Sequence, residues 1–158
     1  MACAHKNDQV HLLALDWAKA FDSINIDAII NALRRFGMPD ALLRVNKEIH
    51  TGRVFQVSER GLLSAEHTHT QNSSICQGCP LSPYLLVAVV TMLMRDASAK
   101  LGAAAKEALE QGRLADLLYA GDTLVFEVCG AHVDGVAIAS ESVGASLGMS
   151  LHSGKHKL

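Results

Sequence analysis

Two apolar runs, Leu117-Leu118-Tyr119 and Thr123-Leu124-Val125-Phe126, flank the short stretch Ala120-Gly121-Asp122. Runs of this length joined so tightly fit an antiparallel β-hairpin, which commits the chain to a sheet. Glycine followed by another residue is a favoured two-residue turn, so Gly121-Asp122 is expected to form the tip. Val10 to Asp16 (VHLLALD) is apolar at nearly every position and is expected to be a buried strand ending at Asp16. A carboxylate closing an apolar strand must reach solvent or a cation, because burying it alone is costly. Asp16 and Asp122 are thus the first candidates for chemistry. Taken singly, turn and cap preferences also account for each.

Between and beyond these strands the pattern is helical. Ile26, Ile29, Ile30 and Leu33 recur at helical spacing from about Ile26 to Phe36. Asn25 can cap that helix, Arg34 and Arg35 suit its C-terminal dipole, and Gly37 with Pro39 stops it. A second helix is predicted from Pro39 to His50, with Leu42, Val45 and Ile49 on one stripe. Arg53 to Ser58 alternates like a strand, and the polar stretch 59–74 reads as hairpin and loop. Ser82-Pro83 is a good helix start, the serine as cap and the proline as first helical residue, for a helix running to about Lys100. Further helices are predicted at Ala103 to Gly112 and Val133 to Leu147, then a short strand at Gly148 to Leu151. This order describes an α+β domain with helices packed on an antiparallel sheet.

A chain of 158 residues fits one domain able to bury a sizeable core. Its aromatic content of 4% means that Leu, Val, Ile and Ala must build that core. The formal net charge of −2 argues against a self-sufficient nucleic-acid binder, which would carry a basic excess. Nucleic acid held here would need basic segments from elsewhere. The N-terminal residues lack the pattern of a secretory signal, and Tyr84 to Met94, the most apolar run, is too short to span a bilayer. Four cysteines are too few for a disulfide framework and suit a reducing, intracellular compartment. The chain opens almost directly on a strand and stops shortly after another, so a fragment is expected.

Four segments occur in one order: LDWAKAFDSI (Leu15 to Ile24), QGCPLSPYLL (Gln77 to Leu86), YAGDTLVF (Tyr119 to Phe126) and GMSLHSGK (Gly148 to Lys155). Together they resemble the palm domain of reverse transcriptases, RNA-directed DNA polymerases, particularly those of non-long-terminal-repeat retrotransposons and group II introns. The resemblance runs from about Val10 to Lys155 and implies a right-hand polymerase palm within 1–158, with fingers and thumb largely missing. It implies RNA-templated DNA synthesis on a template and primer with deoxynucleotides, by two-metal nucleotidyl transfer. Two Mg²⁺ ions stabilise the attacking 3′-oxygen and the leaving pyrophosphate, and strand-end aspartates suit that ion.

On this resemblance Asp16 and Asp122 are metal ligands, with the carbonyl of Trp17 a further oxygen donor. Phe21 matches the bulky residue under the incoming sugar, and the backbone amides around Lys19 and Ala20 face the triphosphate. Gln77 and Gly78 match the loop that cradles the nascent base pair and template. Lys155 matches the lysine proposed to protonate departing pyrophosphate. Asp22 is expected to be structural.

The departures bear on activity. The family's turn reads Tyr-X-Asp-Asp, whereas Gly121 here occupies the position of the first aspartate. Losing one charged metal ligand is expected to slow the chemistry roughly a thousandfold or more, leaving an inactive or impaired polymerase remnant. His152 and His156 stand where Asn and Thr are usual, and Cys76 where many relatives carry a basic residue. Two other readings remain open. One is an active module of a larger polypeptide, its metal site rescued by Asp116 or Glu127. The other is an interaction or zinc-binding module built from Cys76, Cys79, His67 and His69.

Overall fold

The computed structural model describes residues 9–53, 58–60, 62–63, 75, 78–119, 122–128 and 130–152. Its first strand, β1 (Val10–Ala18), alternates faces: Leu13, Leu15 and Trp17 are buried, whereas Val10, Leu12 and Ala14 are exposed. That period of two means one face of the sheet is covered and the other is open. The strand runs two residues past the expected end, because Trp17 and Ala18 pair with Leu151 and Ser150 of β6 (Ser150–Leu151). Asp16 therefore lies inside the strand, not at its tip.

The hairpin forms from β4 (Leu114–Tyr119) and β5 (Asp122–Val128). Tyr119 pairs directly with Asp122, so Asp122 is the first rung of the ladder and not part of the turn. This corrects the expected Gly121-Asp122 tip by one residue. β5 also pairs along the length of β1, from Val10↔Val128 to Asp16↔Asp122, giving an antiparallel sheet ordered β4-β5-β1-β6.

Among the described residues, helices cover one face only. The short α1 (Ala20–Ser23) follows β1, then come α2 (Ile26–Arg35) and α3 (Asp40–His50). Asn25 caps α2 as expected, its side chain accepting from the Ala28 N–H at 2.6 Å. A two-residue ladder joins β2 (Ser58–Glu59) to β3 (Leu62–Leu63). The central helix is α4 (Ser82–Lys100), which packs on α2 and on α6 (Val133–Ser146). Leu81 holds its cap position without a side-chain bond, so Ser82 is the first helical residue and does not cap. The remaining helix, α5 (Ala103–Glu110), packs on β4 through buried Ala105 and Ala108. Gly144 of α6 makes room for Trp17: a Cβ there would lie 2.5 Å from the indole ring. The molecule is thus an α+β fold, a four-stranded antiparallel sheet backed by helices.

α3 has the predicted span but turns a different face inward. Leu42, Val45 and Ile49 are half exposed, and the helix buries Leu43, Asn46 and His50 instead. Lys47 pairs with Asp27 of α2 at 3.3 Å, too exposed a contact to set that rotation by itself. The result is two buried polar side chains, Asn46 at 6% exposure and His50 at 2%. The His50 Nδ1–H donates to the Asn46 carbonyl at 2.8 Å. Among the described residues, neither Asn46 Oδ1 nor His50 Nε2 has a partner.

Candidate active site

Asp16 and Asp122 are direct cross-strand partners in the β1–β5 ladder. On the other side of β1, the Asp16 carbonyl accepts from the His152 N–H at 2.9 Å. A residue whose backbone bonds to β6 turns none of it toward β5, so Asp16 and Asp122 form a non-hydrogen-bonded pair. Such pairs bring the Cα atoms to roughly 4.5 Å and put both side chains on one face. Here that is the open face: Asp122 is exposed and Asp16 half exposed. By the same alternation the Trp17 carbonyl points toward the β5 side, where Asp122 begins.

Beside the pair, the open face of β1, β5 and β4 is apolar. Leu12 lies opposite Phe126, Ala14 opposite Leu124, and Leu124 in turn opposite Leu117. Tyr119, at 79% exposure, ends the row that holds Asp122 and Asp16. Beneath the pair, on the covered face, the Trp17 Nε1–H donates to Thr123 Oγ1 at 3.3 Å and ties the two strands together.

Asp116 and Glu127, the two carboxylates considered for rescue, lie on the covered face. Asp116 pairs with buried Val125, and Glu127 with His11, so both side chains point away from Asp16 and Asp122. The apolar surroundings of Asp116 push its carboxyl above the usual range. Glu127, at 2% exposure, is committed to α6: it accepts from the His132 backbone N–H at 2.7 Å and bonds the His132 ring. Neither carboxylate reaches the pair.

The turn after β1 has an unusual backbone. Lys19 is left-handed, with φ 48° and ψ 43°, and its carbonyl accepts from the N–H groups of Asp22 and Ser23. A left-handed residue followed by helical ones turns successive N–H groups to one side, an arrangement that cradles anions. The N–H of Asp22 closes the turn.

Phe21 is brought against the loop before α4. A cleft of about 540 Å³ is lined by Phe21, Gly78, Cys79, Ser82 and Pro83. Gly78 there has φ +87°, a conformation suited to glycine. Hydrogen bonds from the Leu81 and Ser82 backbone, helped by the Ser82 side chain and Arg53, hold the Cys79 thiol below its ordinary range.

Gln77, Gly121 and Lys155 lie outside the described residues, as do Cys76, His67, His69 and His156. Among the described residues no three His, Cys, Asp or Glu side chains are gathered into a finished metal cluster. A cation held at the pair would find two carboxylates there. The donor set fits one: two carboxylates placed directly opposite repel each other, and hard oxygen donors are those that Mg²⁺ takes. None of the described helices is long and apolar enough to cross a membrane.

Comparison with known proteins agrees with this layout. The sequence profile of the family described as "Reverse transcriptase (RNA-dependent DNA polymerase)" matches residues 1–158. Among solved structures, the fold is similar to apo telomerase from Candida Tropicalis truncated from its C-terminal domain, with a TM-score of 0.70 and 12% sequence identity. That match covers 94% of this chain and 30% of the telomerase chain. The helix-backed sheet is consistent with a polymerase palm.

Proposed function

The chain belongs to the reverse transcriptase family, and from that premise we propose that it is the palm of an RNA-directed DNA polymerase with an impaired metal site. The observation that carries the reading is the Asp16–Asp122 pair, two carboxylates facing each other on the open side of the sheet. In this reading Asp16, Asp122 and the Trp17 carbonyl hold divalent cations. Such ions supply charge stabilisation at the attacking and leaving oxygens of an in-line phosphoryl displacement.

The chain's own residues do the positioning. The left-handed turn at Lys19 and Ala20 offers N–H groups to a triphosphate. Phe21, across the cleft from Gly78, packs under the sugar and leaves no room for a 2′-hydroxyl. Gln77 and Gly78 hold the template side of the nascent pair, and Lys155 gives a proton to pyrophosphate. Template RNA, primer DNA and deoxynucleotide are the partners, with basic segments of a longer polypeptide gripping the phosphates that this chain, at net −2, does not attract. LDWAKAFD and QGCPLSP favour an origin in a retroelement of the non-long-terminal-repeat or group II intron kind.

Gly121 removes one carboxylate. Because Asp116 and Glu127 face the other way, the loss stands uncompensated by either, and we assign a slowing of roughly a thousandfold. Primer extension on an RNA template tests this, comparing the parent with Gly121→Asp and Asp16→Asn in a polypeptide that carries fingers and thumb. Gly121→Asp should gain about three orders of magnitude and Asp16→Asn should abolish extension. A parent that extends primers as fast as Gly121→Asp would refute the impairment, and Asp16→Asn at the parental rate would refute the site.

A further inference from the structure

We propose that the last turn of α3 is a binding site for a single buried water molecule, seated among the side chains of Asn46, His50 and Arg53. Asn46 and His50 stand one turn apart on the same side of the helix, so their side chains are neighbours. Both are more than nine-tenths buried, at 6% and 2% exposure. The His50 Nδ1 lies 2.8 Å from the Asn46 carbonyl, and a carbonyl can only accept. The ring proton therefore sits on Nδ1, which leaves Nε2 a bare acceptor in the neutral histidine. Nε2 and Asn46 Oδ1 are both closed to solvent and, among the described residues, both lack a hydrogen-bond partner. Two acceptors cannot satisfy each other, and leaving both unmade in the interior is costly.

Arg53 brings the complementary group. Its Nε–H donates to the Ile49 carbonyl at 2.7 Å, which folds the guanidinium back onto the end of α3. Its Nη1 is likewise buried without a partner among the described residues. The seat is thus two acceptors and one donor. Water matches it group for group: one proton goes to Asn46 Oδ1, the other to His50 Nε2, and the oxygen accepts from Arg53 Nη1. Three such bonds are the usual complement of a buried water. A cation fits less well, because the guanidinium already brings a positive charge, and an anion would meet two acceptors.

The site bears on the cleft beside Phe21. Gly52, at φ +67°, turns the chain from α3 to Arg53, whose charge acts on the Cys79 thiol in the cleft wall. The water accordingly ties the end of α3 to a cationic side chain near that cleft. This assignment stands apart from the polymerase reading.

Nuclear magnetic resonance on the whole chain tests it. Cross-relaxation from water to the His50 ring protons, measured in the laboratory and rotating frames, separates a held molecule from passing solvent. The parent should show a held water there, and the Nε2 nitrogen shift should be that of an unprotonated, hydrogen-bonded ring nitrogen. Asn46→Leu should lose the held-water signal at His50. Should that variant not fold, the parent spectrum decides alone. A parent without held water at the ring overturns the site, as does a protonated Nε2. So does a nitrogen–nitrogen coupling that reveals a direct bond from the Asn46 amide to Nε2. Full retention of the water signal in Asn46→Leu overturns the seat as drawn.

Discussion

Asp16 and Asp122 face each other across the β1–β5 ladder, on the side of the sheet that none of the described helices covers. Like charges directly opposite cost stability, on the order of several tenths of a kcal/mol. Asp122→Asn should therefore raise the melting temperature of the metal-free protein slightly and remove its response to divalent ions. Thermal melts in chelator and in saturating Mn²⁺ check both signs. A variant that is destabilised in chelator would contradict the pairing.

Asp116 gives a prediction of the opposite kind. Apolar neighbours raise its carboxyl in the folded state, so the native protein binds a proton there more readily than the unfolded chain. The stability this lends is complete below the ordinary aspartate range and is lost as pH climbs through the raised value. Asp116→Asn should stabilise the protein at neutral pH, flatten that part of its stability profile, and leave metal affinity untouched. Urea denaturation from pH 4 to 8 reads the first two, and Mn²⁺ titration the third.

The rotation of α3 can be tested by two adjacent leucines. Leu43 is buried and Leu42 half exposed. Leu43→Ala should cost roughly 2–4 kcal/mol, whereas Leu42→Lys should stay within about 0.5 kcal/mol of the parent. Chemical denaturation of both variants measures the contrast. Equal costs would mean that the stripe Leu42, Val45 and Ile49 is covered.

The Glu127–His132 contact secures the start of α6 against β5. His132→Ala leaves a carboxyl buried with only the backbone N–H for company, at a cost of roughly 2–4 kcal/mol. Glu127→Gln keeps the shape and removes the charge, so it should cost less. Denaturation of both variants and of the double variant checks the order, and a double variant as unstable as the sum of the two would refute the coupling.

Local chemistry made much of this molecule legible in advance. The apolar runs of β1, β4 and β5 and the Asn25 cap of α2 are written in short stretches, and they appear where those stretches put them. What the sequence hid was relative placement. VHLLALD alone does not say that Asp16 meets Asp122, since that register links segments far apart in the chain; the resemblance, which makes both ligands of the same ions, does imply it, and the ladder bears it out. Gly-X suits a turn and so points to Asp122 in one, and only its pairing with Tyr119 moves it into the strand. The α3 stripe reads as core, yet packing against α2 goes with the face bearing Leu43. The same limit applied to Asp116 and Glu127: once the ladder is known, alternation alone removes both from the site.

One strand, β1, supplies inner positions to the protein's interior and an outer position to its chemistry, in strict turn. A single residue inserted between Leu13 and Asp16 would swing the carboxylate indoors and set Trp17 outdoors, so slippage ruins folding and site at a stroke. Exchange of an outer side chain such as Asp16 for another would leave that alternation, and with it the architecture, standing.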